Sequence, residues 1–114
     1  MATVNHTVVE TPYASYVKVF KWVLTSGDVG DVVMIPHLQG DKTFMVIGNF
    51  TGGGVVTIEG TLSPDEATTV QLKNLQGDDL SFAAADIEAV APACYGYKPV
   101  ASTITSVTVY LFAR

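Results

Sequence analysis

The sequence predicts an all-β domain, an antiparallel β-sandwich of about eight strands in a jelly-roll-like or other Greek-key arrangement. Short segments rich in Val, Thr, Ile, Phe and Tyr recur along the chain, and these residues pack well on a pleated surface. Turns that carry Gly and Asp separate the segments. No apolar pattern of helical period persists for three turns. The length of 114 residues fits a single domain.

The strand signals differ in strength along the chain. The stronger predicted strands are residues 17–25, 32–35, 43–50, 55–62, 69–72 and 106–112, and the weaker ones are residues 6–9, 80–83 and 95–100. Residues 83–90 are rich in alanine and have the composition for a single helical turn with Asp86 as its cap. This segment is too short to form a helical layer, so we expect it to be a connection between strands.

Two of the predicted strands are apolar on both faces. In the segment 106–112, one face is aliphatic and the other carries Tyr110 and Phe112. The segment 17–25 shows the same excess, with Trp22 on one of its faces. Such strands either lie at the centre of the fold or carry an apolar patch that binds another protein.

The first sixteen residues differ from the rest of the chain. They mix polar residues with Tyr13 and Tyr16, and they contain only a short strand signal. This composition fits an edge strand followed by a loop, or an arm that becomes ordered on a neighbouring subunit with the tyrosines as anchors. We therefore divide the chain into an N-terminal arm or edge strand, residues 1–16, and a β-sandwich domain, residues 17–114.

Charge and hydropathy favour association with other proteins. Charged residues make up 15% of the chain and hydrophobic residues 48%, which is more apolar surface than a small domain can hide alone. The net charge of −5, with only 6 Lys and Arg, argues against binding to nucleic acid. No apolar run approaches the ~20 residues needed to span a bilayer. We therefore expect neither nucleic acid nor a membrane as a partner.

The residue types that most often carry chemistry do not form a recognisable site in the sequence. His6 and His37 have no Cys, Asp or Glu at the spacing of metal ligands. Cys94 has no Lys, Arg or His within three positions to lower the pKa of its thiol. We expect no catalytic residue, no cofactor and no metal, and hence no enzyme. A hydrolase would require a cleft that joins His37 or His6 to a carboxylate.

From about Thr25 onward, glycine-bearing turns alternate with strands in a definite order. The segments concerned are Gly27-Asp28-Val29-Gly30, Gly40-Asp41-Lys42-Thr43, the run from Gly48 to Thr61, the run from Leu75 to Phe82, Tyr97-Lys98-Pro99-Val100, and the run from Ile104 to Val109. In this order of features, the chain resembles small virion structural proteins of tailed bacteriophages, of the capsid decoration or cement type. Those proteins typically have an Asn-Asp-Gly-type turn with a nearby Trp, where this chain has Leu62-Ser63-Pro64-Asp65-Glu66.

The resemblance implies a capsid cement protein that bridges and stabilises the subunits of the major capsid protein. Such a protein is implied to be a homo-oligomer, dimer or trimer, made in the host cytoplasm and located on the exterior of the capsid. The alternatives are a tail, neck or baseplate component of a virion, and a carbohydrate-binding β-sandwich module. The sugar module would need exposed aromatic side chains, so burial of Trp22 and Tyr97 would argue against it. The expected contact residues are Tyr13, Tyr16, Tyr110 and Phe112.

Overall fold

Two β-sheets face each other and enclose an apolar core. The computed structural model describes residues 2–9, 17–50, 53–63, 68–104 and 106–114. These residues contain no helix, and therefore no helix long and apolar enough to cross a bilayer. Their strands are β1 Thr3–Val4, β2 Thr7–Val9, β3 Lys18–Thr25, β4 Val29–Gly30, β5 Val33–Met34, β6 Lys42–Asn49, β7 Val55–Thr61, β8 Val70–Gln71, β9 Ser81–Phe82, β10 Asp86–Ala89, β11 Gly96–Ser102 and β12 Ser106–Ala113.

The two sheets differ in regularity. The five-stranded sheet has the order β10-β6-β12-β3-β2 and is antiparallel throughout, and each of the 8 residues of its central strand β12 pairs with β3 on one side and with β6 on the other. The 7-stranded sheet has the order β1-β4-β11-β7-β8, with β5 paired to β11 and β9 paired to β7. The predicted all-β sandwich is confirmed. It has more strands than predicted because several two-residue pairings extend the larger sheet.

Alternating residues of the long strands build the core. Apart from Lys18, every second side chain of β3 and β12 is buried, and Trp22 and Val109, which lie opposite each other, have no exposed surface. The facing sheet contributes Ile58 of β7 and Tyr97 of β11, which are 0% and 1% exposed. Since each large apolar side chain that is fully buried stabilises the fold by about 1.5–3 kcal/mol, this core is the main source of stability.

The segment 83–90 is partly a strand, and the prediction of a connection with a possible helical turn is wrong. Residues Asp86–Ala89 form β10, which pairs with β6 so that Ile87 lies opposite Met45. Asp86 accepts a hydrogen bond from the backbone N–H of Ile87 (2.8 Å) instead of capping a helix. The edge of β6 offers hydrogen bonds to the backbone of this segment. The free energy gained from them outweighs the weak helical preference of the preceding alanines.

Residues 2–9 contribute an edge strand to each sheet. β1 pairs with β4 in the 7-stranded sheet, and β2 pairs with β3 in the five-stranded sheet. Residues 10–16, which include Tyr13 and Tyr16, lie outside the described residues. The boundary that the sequence analysis drew at residue 16 falls in the same segment.

Candidate ligand-binding cleft

A cleft of about 300 Å³ opens between the two sheets at the edge formed by β2. The five-stranded sheet contributes β2 and β3 to it, and the opposite sheet contributes β5 and the loop that follows. Apolar walls and three nitrogen-bearing side chains make up the lining, which consists of His6, Val8, Lys18, Phe20, Val33, Met34, Ile35 and His37.

Strand β3 brings Lys18 and Phe20 to the cleft because alternate residues of a strand face the same side. Phe20 lies opposite Leu111 and Lys18 lies opposite Ala113, and both partners are fully buried on the inner face of the sheet. Lys18 thus begins the strand on the inner face, where the core meets solvent, and it is exposed. At such a place, the ammonium stays hydrated while the aliphatic stem extends the apolar wall.

His6 reaches the cleft because the N-terminal segment crosses from one sheet to the other between β1 and β2. Before the crossing, the carbonyl of Val4 accepts a hydrogen bond from the backbone N–H of Asp31 (2.8 Å). After it, the backbone N–H of His6 donates to Oδ1 of Asp31 (2.8 Å). Hydrogen bonds to one residue therefore hold the chain on both sides of the crossing.

The carboxylate of Asp31 also orients the His6 ring. Nδ1 of His6 lies 2.8 Å from Oδ2 of Asp31, and the Nε1–H of Trp22 donates to Oδ1 (2.9 Å). Because an ionised carboxylate only accepts hydrogen bonds, Nδ1 carries the hydrogen and Nε2 is the nitrogen that a ligand can reach. The side chains of His6 and Asp31 are 29% and 26% exposed, so the pair is partly shielded from water.

Aromatic rings connect His6 to the core. The His6 ring meets Phe20 edge-on at a centroid distance of 5.6 Å and lies 6.2 Å from Trp22, which stacks on Phe44 at 6.4 Å. Close packing of β4 completes this arrangement, because a Cβ at Gly30 would lie 2.8 Å from Cδ1 of Trp22. Trp22 is the single tryptophan of the chain, so its fluorescence reports on the core beside His6, one contact away from the cleft.

A buried lysine holds the loop that carries His37. Lys42 is 5% exposed, and its Nζ donates to the carbonyls of Leu38 (2.6 Å), Gly40 (2.7 Å) and Arg114 (3.2 Å). Burial lowers the pKa of the Lys42 ammonium, and the nearby Asp41 carboxylate opposes that effect. Three carbonyls satisfy the three N–H donors of the ammonium, which fixes the loop against the end of the sheet.

Cys94 lies outside the cleft and is partly buried beside Tyr97. The backbone N–H of Cys94 donates to Oη of Tyr97 (2.9 Å). Burial raises the pKa of the Cys94 thiol, and it also raises the pKa of the Tyr97 hydroxyl. The thiol therefore stays protonated at neutral pH, and a protonated thiol is a poor nucleophile.

The lining of the cleft suits an anion that has an apolar body. Lys18 supplies a positive charge, His6 and His37 supply ring nitrogens, and the remaining walls are aliphatic or aromatic. None of the described residues that line the cleft has a carboxylate, hydroxyl or thiol side chain. A zinc site has three or four protein ligands, and the described part of the chain contains no group of three His, Cys, Asp or Glu that could hold a metal.

The structure joins two histidines that the sequence analysis treated as separate. His6 and His37 both line the cleft, and Asp31, which the sequence analysis missed, lies 25 positions from His6. No local spacing links such a pair, so only the folded chain reveals it. The requirement stated for a hydrolase was a cleft that joins a histidine to a carboxylate. It is met only in part, because His6 pairs with Asp31 but the Asp31 carboxylate does not line the cleft.

Two of the four residues predicted to make protein contacts are described by the structure, and both lie outside the cleft. Tyr110 and Phe112 are on the outer face of the five-stranded sheet, and Phe112 is 39% exposed. Tyr13 and Tyr16 fall outside the described residues, so the structure says nothing of their role. A contact role for these four residues stays a prediction.

Several solved structures resemble this chain along most of its length. The SPBc2 prophage-derived protein YomS has a TM-score of 0.64 and 14% identity, over 94% of this chain and 98% of that one. A conserved protein with a double-stranded β-helix domain from Klebsiella pneumoniae subsp. pneumoniae MGH 78578 has a TM-score of 0.57 and 17% identity, over 97% and 72% of the two chains. A Cupin 2 conserved barrel domain protein from Salinispora arenicola CNS-205 has a TM-score of 0.52 and 12% identity, over 96% and 74%.

The chain therefore has the cupin fold, a jelly-roll-like double-stranded β-helix. No protein-family model and no curated protein matches the sequence. Identities of 12% to 17% show a common fold and carry no activity from those proteins to this one.

The resemblance to phage capsid decoration proteins is wrong, because the structural neighbours are cupin and double-stranded β-helix domains. The cement function and the tail, neck or baseplate alternative are wrong with it. The turns and strands that carried the resemblance occur in many β domains. The carbohydrate-binding alternative is also wrong, because Trp22 and Tyr97 are 0% and 1% exposed and offer no platform for a sugar.

Proposed function

We propose that this cupin-fold chain is a binding domain, not an enzyme, and that it holds a small organic acid with an apolar body in the cleft. The observation that carries the proposal is the His6 ring, which Asp31 fixes beside Lys18 at the mouth of an apolar cleft. The ligand class is a carboxylate whose charged group faces the Lys18 ammonium and accepts a hydrogen bond from Nε2–H when the His6 ring carries a hydrogen on each nitrogen. The hydrocarbon part of the ligand fills the space between the sheets.

Two features of the lining favour such a ligand over a fully polar one. Phe20, Met34 and Ile35 can remove hydrocarbon from water, which contributes about 25 cal/mol for each Å² of apolar surface that is buried. Lys18 is the charged member of the lining, so an anion gains an attraction that a neutral molecule of the same shape lacks. The volume of about 300 Å³ lies at the low end of small-molecule sites, which favours a ligand of modest size.

The composition of the lining favours binding over catalysis. The pairing with Asp31 leaves His6 able to accept a proton at Nε2, which is one requirement of a general base. However, the described lining offers no hydroxyl, thiol or carboxylate side chain that could act as a nucleophile. A single oriented base without such a group beside it suits recognition of an acid better than its conversion.

Titration of Trp22 fluorescence with octanoate and with octan-1-ol tests the proposal. We expect octanoate to bind saturably and more tightly than the neutral alcohol. Lys18→Met should weaken octanoate binding by up to about five-fold and should leave octanol binding unchanged, because an exposed charge pair contributes up to about 1 kcal/mol. His6→Gln should also weaken octanoate. Lys73→Met is the matched control, because Lys73 lies outside the cleft.

Two outcomes would overturn the proposal. Octanoate and shorter carboxylates could leave the fluorescence unchanged at millimolar concentration, or the binding could be insensitive to both Lys18→Met and His6→Gln. Saturable hydrolysis of p-nitrophenyl octanoate that is lost in His6→Gln would overturn the part of the proposal that denies catalysis.

A further inference from the structure

The outer face of the five-stranded sheet carries an apolar surface that is separate from the cleft. Its three long strands each contribute two side chains to what we call the apolar outer face. These are Val19 and Val23 of β3, Met45 and Ile47 of β6, and Tyr110 and Phe112 of β12.

The strand register places these side chains in adjoining rows across the sheet. Tyr110 lies between Met45 and Lys21, and Phe112 lies between Thr43 and Val19. Residues opposite each other in antiparallel strands have Cβ atoms about 4.5–5.5 Å apart, so the rows form one continuous patch.

Much of this patch is exposed to solvent in the single chain. Val23 is 51% exposed, Ile47 41% and Phe112 39%. Ile87 of β10, which lies beside Met45, extends the patch and is 61% exposed. Contiguous apolar side chains of this size are rarely left in water and usually mark an interaction site.

The apolar outer face carries almost no charge, although the whole chain has a net charge of −5. In the rows formed by β3, β6 and β12, Lys21 is the charged residue and no carboxylate is present. Two copies that meet at this face therefore bring none of their carboxylates together, and other approaches of two acidic molecules are opposed by repulsion.

The size of the face is adequate for a dimer. With neighbouring strands ~4.8 Å apart and a rise of ~3.3 Å per residue, the five strands of this sheet, β2 and β10 included, cover a plane of about 500 Å². The projecting side chains make the accessible area larger than the plane. Two such faces therefore reach the roughly 1,200 Å² at which specific interfaces begin.

We propose that the apolar outer face is a self-association surface, on which a second copy of the chain packs sheet against sheet to form a two-fold dimer. The symmetry of the sheet supports a second copy as the occupant. β12 is the middle strand, with two strands on either side. A two-fold axis that lies above β12 and parallel to it therefore brings the whole outer face of one copy against the same face of the second copy. Stacked sheets about 10 Å apart would then interdigitate the two sets of side chains.

An axis parallel to β12 also keeps the Lys21 side chains of the two copies away from each other. It places β3 of one copy over β6 of the other, because these strands flank β12. Lys21 then lies over Met45 of the second copy, and the two ammonium groups stay on opposite sides of the axis. In the same arrangement, Val23 lies over Ile47, which buries two of the most exposed side chains of the face.

This inference does not depend on the proposed ligand. Phe20 and Lys18 of β3 line the cleft on the inner face, whereas Val19 and Val23 alternate with them and point outward. Packing two outer faces together leaves the cleft open. Failure of the dimer would therefore leave octanoate binding intact, and failure of octanoate binding would leave the dimer intact.

Sedimentation equilibrium of the full chain over about 1–100 μM tests the proposal. We expect a particle of about 24 kDa, twice the 12.1 kDa of one chain. Val23→Lys should raise the dissociation constant of the dimer at least ten-fold, because dimerisation would bury an ammonium without a partner. Val23 is half exposed in the single chain, so the variant should retain the circular dichroism spectrum of the original.

Two further variants keep the test decisive. Val70→Lys makes the same change at a 64% exposed residue of β8 in the other sheet, and it should remain dimeric. Val23→Thr preserves the β-branched shape and should weaken the dimer less than Val23→Lys does. A chain that is monomeric at 100 μM would refute the proposal, and so would a trimer or a dimer that Val23→Lys leaves unchanged.

Discussion

The two faces of the five-stranded sheet are built by the same strands but are organised in different ways. On the inner face, Trp22 is fully buried and its indole donates a hydrogen bond to Asp31 of the opposite sheet. On the outer face, the next residue, Val23, is 51% exposed. The side chains of the inner face are held in fixed positions by specific contacts with the opposite sheet. In the described part of the single chain, the outer face makes no such contacts, and it can bind only through its apolar area. The alternation of residues along the strands produces both faces.

The largest expected effect is the difference in unfolding free energy between variants of Trp22 and of its neighbour Val23. Trp22→Ala should lower the free energy of unfolding by about 3–5 kcal/mol, because it removes a fully buried aromatic side chain and leaves a cavity. Val23→Ala should cost less than ~1 kcal/mol in the monomer. Urea denaturation followed by circular dichroism, at a protein concentration below the dissociation constant of the dimer, measures both. Similar losses for the two variants would contradict the distinction between the faces.

A smaller effect is expected when the polar partner of the inner face is changed. Asp31→Asn removes the charge that holds Nδ1 of His6, and it should lower the free energy of unfolding by about 1–2 kcal/mol. It should also shift the emission of Trp22, whose Nε1–H donates to the same carboxylate. Asp28→Asn is the matched control, since its carboxylate serves the surface turn at Thr25. If both variants leave the Trp22 emission unchanged, Asp31 does not organise the cleft.

The smallest effect is expected at alkaline pH and concerns Tyr97, which lies 6.2 Å from Phe44 of the inner face. Burial raises the pKa of Tyr97 from its usual value of 10.0. Above about pH 10, the unfolded chain therefore loses this proton while the folded chain keeps it, and stability falls as the pH rises. The slope from one such group is at most about 1.4 kcal/mol per pH unit.

Urea midpoints measured between pH 8 and pH 11 test this expectation. Tyr97→Phe should reduce the slope of the unfolding free energy against pH, by an amount that corresponds to at most one proton. Cys94→Ala should flatten it separately from about pH 9, because burial raises the pKa of the Cys94 thiol in the same direction. An unchanged slope in Tyr97→Phe would mean that the folded state does not protect the phenol.

The sequence was sufficient to predict the fold class and the faces of the long strands. The alternation in residues 17–25 and 106–112 reflects a buried face and an outer face, and the structure pairs these two segments along their length. The segment 83–90 was misassigned because its alanines carry little information, and its pairing with β6 is a long-range contact. Where side-chain pattern was weak, tertiary contacts decided the backbone conformation.

The candidate site could not be predicted in the same way. His6 and Asp31 meet because β1 lies along β4 and β2 lies along β3, and neither pairing is visible in local spacing. The role of Lys42 in holding the loop could not be predicted either. The three carbonyls that it contacts belong to the backbone, so the residue types around it do not indicate the contacts. The family resemblance failed for a related reason: it relied on turn residues, which different β folds share.

The place of β12 in the sheet has a consequence for how the molecule forms. This strand comes last of the twelve that the described residues form, yet β3 and β6 both pair with it, and they do not pair with each other. During synthesis, the two earlier strands must therefore wait with unsatisfied edges until residues 106–113 emerge. Because these pairings join distant parts of the sequence, the domain is expected to fold slowly for its size and to need protection from aggregation until β12 is in place.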